Sequence, residues 1–356
     1  MPEPKGAFLR ACRGLPTSHT PVWFMRQAGR YLPQFQELLA AHSLTELMET
    51  PDLASRATLQ PIDVLGVDAA ILFSDILPPL KSLGLRVNLA GSDGPAIENP
   101  LRSNYEIDLL PTPPAEEHLS AILETVRLCA EELAGRDIPV IGFGGAPFTL
   151  ATYAIEGGPT RDFSRTKALM YSEPAAWRRL MSKLVTIQVD LLAKQVKQGA
   201  SALQVFDSWS GLALSREDYR RYVLPYHRSL FDALGRTGVP VIHFSTGTAA
   251  YIADVAAAGG DVLSVDWRMP LDWFWSQIDG QAPVQGNLDP AALLAPWREL
   301  QYRSDAVLAQ AGGRPGHIFN LGHGVLPMTS ADTVKRVVDY VHERTERGSD
   351  RRGEWA

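Results

Sequence analysis

Apolar runs of three to five residues recur along the chain, each followed by Gly, Asp, Ser, Asn, His or another polar residue and then by a stretch of helical periodicity. The runs fall at 21–24, 69–73, 140–143, 203–206, 241–244, 262–265, 283–285 and 317–320, which makes eight predicted strands. Several are apolar at every position, as parallel strands covered on both faces require. Between them lie amphipathic helices. Leu184, Ile187, Leu191 and Leu192 form one apolar face; Val334, Val337, Val338 and Val341 form another at i, i+3, i+4, i+7 spacing. Thr329 and Asp332 precede the second with the spacing of a capping box. Residues 84–114, rich in Pro and Gly, read as an irregular excursion or hairpin after the second strand. The tail, about 345–356, is expected to fray.

Eight β/α units without a Gly/Ser linker or low-complexity tract predict an α/β chain folded as a single (β/α)8 TIM barrel, one catalytic domain over 1–356. An open doubly wound sheet would need a nucleotide loop, and GFGGAPF at 142–148 lacks the GxGxxG spacing. Composition sharpens this picture. With 45% hydrophobic residues in 356, the chain buries a large core without disulfides or metal staples. Cys12 and Cys129 lie far apart and read as free thiols of a reducing compartment. The N-terminus has no apolar leader and no run spans a bilayer, so the expected location is cytoplasmic, with no membrane partner. A net charge of −6 argues against nucleic acid, and leaves anion binding only to a local pocket of cations.

Barrel enzymes carry their chemistry at the carboxyl ends of the strands, which makes the polar residues there the shortlist. They are Arg26, Gln27 and Arg30; Ser74 and Asp75; Thr149 and Tyr153; Asp207 and Ser208; His243 and Ser245; Asp266; Asn287 and Asp289; and Asn320 and His323. If MRQAGR is helical, Arg26 and Arg30 share a face and present two permanent charges to a polyanion; a solvated basic face is the plainer reading. Asp75 is carried to the mouth by a very apolar strand, where it serves either as a site carboxylate or as a cap for the following helix. His323 stands between glycines that permit close approach to a ligand, yet a lone histidine is more often structural. Tyr153 is either a hydroxyl donor or an amphipathic core residue. His243-Phe244-Ser245 is similar to the His-x-Cys element of zinc methyltransferases on a related barrel, with serine in place of the thiolate ligand. HExxH, GxSxG and P-loop patterns are absent.

PVWFMRQAGRYLPQF at 21–35 resembles the N-terminal signature of uroporphyrinogen decarboxylases. The resemblance continues through TLQP at 58–61, AAILFSDIL at 69–77, GFGGAPFTLATYAIEGG at 142–158, FDSWSG at 206–211, VDW at 265–267, QGNLDP at 285–290 and NLGHGVLP at 320–327. It implies a (β/α)8 homodimer that acts on a small molecule. That reaction converts the four acetates of uroporphyrinogen III to the methyls of coproporphyrinogen III, without metal or organic cofactor. By motif position, it implies that Asp75 accepts the pyrrole N–H groups and stabilises a cationic intermediate. Arg26 and Arg30 would hold carboxylates, with Arg26 a candidate for proton delivery. Tyr153, Ser208 and His323 would bind peripheral carboxylates, and Phe206 would lie against the macrocycle. The chain departs from the family where many members carry a further arginine: here Leu39 stands, with His42 nearby as a stand-in. The rival readings are a zinc- or corrinoid-dependent methyltransferase on the same barrel and a non-catalytic tetrapyrrole carrier.

Overall fold

A computed structural model describes residues 4–89, 94–278, 280 and 282–347. Among the described residues nine strands fall in chain order: β1 (Ala70–Ile71), β2 (Val87–Asn88), β3 (Ala96–Ile97), β4 (Val140–Gly145), β5 (Ala202–Asp207), β6 (Val241–Ser245), β7 (Val262–Ser264), β8 (Val284–Gln285) and β9 (His317–Ile318). Seven of them form one curled sheet in the order β1-β4-β5-β6-β7-β8-β9, with every pairing parallel, in the manner of a TIM-like barrel. Strands β2 and β3 make a separate antiparallel hairpin inside the Pro/Gly-rich excursion. The tail beyond 347 lies outside the described residues.

Segment 21–24, the first predicted strand, joins this sheet by one parallel bridge, Val22 to Phe319. Its far side meets the start of β1: the Asp68 N–H donates to the Val22 carbonyl at 2.8 Å, and the Val22 N–H donates to Asp68 Oδ2 at 2.7 Å. Pro21 has no N–H, and a side chain takes the one from Val22, so a regular ladder cannot form there. Trp23 points inward, where its indole N–H donates to Gln285 Oε1, which belongs to a buried polar chain with Gln204 and Ser264.

The apolar helix faces are buried as their periodicity demands, including Leu184, Ile187, Leu191 and Leu192, and Val334, Val337, Val338 and Val341. Two glycines of GFGG, Gly142 and Gly144, are explained by helix Pro174–Lys197 packing on β4. A Cβ at Gly144 or Gly142 would lie 2.2 or 2.3 Å from the amide oxygen of Gln188 or Gln195. They serve helix–sheet contact, not a phosphate. The predicted capping box is corrected: Ser330 is the N-cap of helix Ala331–Thr345, and the Thr329 hydroxyl is buried without a partner.

Candidate active site

MRQAGR is not helical. The Gln27 side chain takes the Phe24 N–H, the Gln27 N–H returns to the Phe24 carbonyl, and Arg26 adopts a left-handed φ of 62°. The segment is therefore a turn, and Arg26 and Arg30 do not share a helix face. That φ is uncommon outside glycine and aims the Arg26 side chain across the loop that follows β9. A Cβ at Gly324 would stand 2.4 Å from Arg26 Cδ, so only glycine leaves room for the arginine stem. The two segments are stitched by Val325 N–H to the Met25 carbonyl at 2.9 Å and by Asn320 Oδ1, which accepts from Met25 and Leu321. Arg30 is exposed, and no hydrogen bond or ion pair holds its guanidinium among the described residues.

Asp75 lies four residues past the end of β1, with Oδ1 accepting the Leu77 N–H at 2.8 Å. It caps a tight turn, while the N-cap of helix Pro78–Ser82 is Leu77. Burial raises its pKa; the Leu77 N–H, the Arg26 charge and the Ile76 N–H oppose that rise. Tyr153, on helix Pro147–Glu156 after β4, stacks on Trp209 with ring centroids 4.1 Å apart. Burial and the Asp75 charge push its phenol up to about 12 against the pull of Arg26, so it remains a proton-bearing donor. His323 accepts the Gly324 N–H on Nδ1 at 2.8 Å, which leaves the proton of the neutral ring on Nε2. Burial, Arg26 and Arg268 bring its pKa down to about 4, while Asp266 pulls the other way. The ring is neutral at pH 7 and offers one N–H.

Phe206 forms an aromatic wall with Phe143 and Phe244, each 5.4 Å away, and Phe244 reaches His323 at 6.0 Å. Ser208 is placed by its neighbours: its N–H donates to Thr149 Oγ1, and that hydroxyl donates to the buried Asp207. Arg26, Asp75, Tyr153 and His323 are thus coupled in one mouth, with Phe206 and Ser208 on its wall; Arg30 is not tied to them. Gln27, Asn287, Asp289 and Asn320 are occupied in holding loops. Reading the strand ends missed Trp209 and Arg268, although FDSWSG and VDWR place both just beyond a strand.

Two groups of described residues have metal-ligand spacing, His19–Asp68–His342 and Asp207–His227–His243. In the first, each histidine Nε2 is hydrogen-bonded to an Asp68 oxygen, at 2.9 and 2.7 Å. The second lies behind β5 and β6: His243 packs on His227 and Phe231, and Ser245 bonds Thr248. Only Phe244 of that triplet faces the mouth, as strand alternation requires. The zinc-like element of the sequence is therefore turned toward the helices.

The family model described as uroporphyrinogen decarboxylase (URO-D) matches residues 3–344. The uroporphyrinogen decarboxylase of Solibacter usitatus is 50% identical over 336 residues, covering 94% of this chain and 96% of its own. That of Sorangium cellulosum is 51% identical over 335 residues, 94% and 95% of the two chains. Among solved structures, a methyltransferase from Methanosarcina mazei superposes with a TM-score of 0.79 at 16% identity, covering 96% of this chain and 99% of that one. At that identity the likeness speaks for the fold alone. No helix among the described residues is long and apolar enough to cross a membrane.

Proposed function

The chain belongs to the uroporphyrinogen decarboxylase family, and on that premise we propose how its mouth removes carboxyl groups from a tetrapyrrole. The activity is that of a carboxy-lyase which turns the acetates of uroporphyrinogen III into the methyls of coproporphyrinogen III. Breaking the acetate C–CO2 bond leaves an electron pair that needs a sink. Protonation of the adjacent pyrrole carbon creates one, because the cationic ring accepts the pair and CO2 departs. A proton then adds to the exocyclic methylene, and the proton first added to the ring is lost. Each turn therefore exchanges one CO2 for one proton.

Asp75 is the group that meets the cation. A carboxylate whose burial raises its pKa gains most when positive charge develops beside it, because that charge repays the desolvation. It also accepts the pyrrole N–H groups at the macrocycle centre. Arg26 and Arg30 hold substrate carboxylates, and Arg26 is the candidate for proton delivery. Neutral His323, the Tyr153 hydroxyl and Ser208 donate to peripheral carboxylates, and Phe206 lies against the ring face. The chain forms a single closed (β/α)8 domain, with 21–24 as the eighth stave, and works in the cytoplasm as a homodimer on this small molecule, with no nucleic-acid or membrane partner. The observation that carries the reading is one half-buried carboxylate coupled to Arg26 and Tyr153 in a shared mouth.

The test is turnover. Anaerobic uroporphyrinogen III should release CO2 and yield the tetracarboxylate product. Tight binding of the porphyrinogen without CO2 would favour the carrier reading instead.

A further inference from the structure

The coupled groups leave a deficit of positive charge. The substrate brings eight carboxylates, His323 is neutral, and the N-terminal turn supplies two exposed guanidiniums, Arg26 and Arg30. His42, the nearest substitute for the missing family arginine, has its Nδ1 on Glu46 at 2.9 Å. Another cation stands beside the His323 loop.

Arg268 follows β7 and is held from several directions. Its Nη1 bonds Asp266 Oδ2 and, at 3.0 Å, Thr246 Oγ1, and its guanidinium stacks 4.7 Å from the Trp267 ring centre. The loop beneath is clamped by Asn287 Nδ2, which donates to the Asp266 and Met269 carbonyls at 2.9 and 2.8 Å. Asp266 also accepts from Thr246 Oγ1, Gly247 N and Arg268 N, so its buried charge is well satisfied without the guanidinium. The pair is lopsided: the Asp266 side chain is 4% exposed and that of Arg268 45%. Arg268 Nε and Nη2 hold no hydrogen bond among the described residues. The same Trp267 supports the His323 loop, since a Cβ at Gly322 would stand 2.6 Å from the Trp267 N and 2.8 Å from its ring. Arg268 and His323 thus share one platform.

We infer that Arg268 is a further guanidinium of the site, binding a peripheral carboxylate of the substrate through its free Nε and Nη2 edge. A guanidinium already fixed in place loses little freedom on binding, and its fork matches a carboxylate. The inference rests on the reading above, that the mouth takes a polycarboxylate, and supplies part of the charge that reading requires.

Steady-state kinetics on anaerobic uroporphyrinogen III with Arg268→Ala, Arg268→Gln and Arg268→Lys test it. Loss of a charge-assisted bond is expected to raise KM about tenfold or more in the Ala variant. The same variant should change kcat less than about threefold and reduce the dependence of KM on salt. Lys, which keeps the charge without the fork, should recover part of the loss. Gln separates packing from charge: it should behave like Ala if the charge binds substrate. A KM within twofold of wild type in both Ala and Gln variants overturns the inference, as does a fall in kcat at constant KM. Wild-type protein that releases no CO2 would instead overturn the function itself, so the two failures are distinct.

Discussion

Two carboxylates stand at the ends of β-strands of one sheet, Asp75 past β1 and Asp207 at the tip of β5. Burial raises the pKa of both, and it is the largest cause in each. Their surroundings differ. Asp207 is fully buried and accepts from Ser210 N–H and hydroxyl and from Thr149, with the buried imidazole of His243 behind it. Asp75 is partly buried, accepts the Leu77 N–H, and feels the charge of Arg26 beside Tyr153. A raised carboxyl pKa alone therefore does not locate the chemistry. What distinguishes Asp75 is incomplete burial and the Arg26 charge acting on it. Asp207 organises the turn that carries Ser208; Asp75 keeps part of its surface accessible.

Exchanging each for its amide is the strongest way to break that contrast. Asp75→Asn should lower kcat on the order of a thousandfold, the scale of losing a preorganised charge opposite a developing one, with thermal stability almost unchanged. Asp207→Asn should do the reverse. Its amide points N–H groups at hydroxyl donors, at a cost of about 1–3 kcal/mol, and its melting temperature should fall by several degrees with a smaller loss of kcat. Equal stability losses in the two variants, read by calorimetry, would erase the distinction.

The Arg26 charge comes next. Arg26→Ala should lower kcat/KM about a hundredfold, and Gly324→Ala should lower it about tenfold by displacing the Arg26 stem. If Gly324→Ala leaves kcat/KM intact while Arg26→Ala does not, the arginine works from another position.

Acid stability measures the buried side of the comparison. Burial is the first cause lowering His227 and His243 to about 3 and His317 and His323 to about 4, all below the ordinary 6.5. A depressed histidine pKa gives stability that is present above 6.5 and is lost as pH falls toward the folded value. Each proton taken up on unfolding removes about 1.4 kcal/mol per pH unit in that window. His19 acts oppositely, because its bond to Asp68 raises its pKa, so its contribution holds below 6.5 and fades as pH rises. Asp75 and Asp207, raised by burial, act with His19 toward the acid end of that window; the four histidines outweigh them, and the melting temperature should fall between pH 7 and pH 5. His243→Asn should flatten the slope; an unchanged slope would remove that histidine from the account.

Much of this architecture is legible in the sequence, for definite reasons. The seven runs from 69 onward became sheet strands in order, because parallel strands covered on both faces need mainly apolar side chains, and their inward polar members, Gln204, Ser264 and Gln285, are buried in one hydrogen-bonded chain. The run at 21–24 forms only a bridge, since Asp68 takes the N–H that a ladder would use. MRQAGR misled because its arginines have helical spacing while Gln27 closes a turn beneath them; spacing cannot reveal where a glutamine amide goes. Asp75, Tyr153 and His323 were found as polar residues closing or following strands. Arg268 was passed over because the reading stopped at Asp266, the first polar residue after its strand. It follows by two positions, and only the folded loop leaves its guanidinium with an unused edge.

The smallest expected effect concerns the place where the family arginine is missing. Leu39 is partly buried against the core, and the imidazole of His42 is engaged by Glu46 one helical turn on. Such a pair at the surface is worth about 0–1 kcal/mol and gives the histidine no reason to reach for substrate. His42→Ala should therefore change KM less than twofold, with kcat unaltered. A tenfold rise in KM would move the compensating charge to His42 and leave Arg268 as an ion-pair partner of Asp266. Paired with the Arg268 variants under identical conditions, this measurement decides which residue has replaced the missing cation.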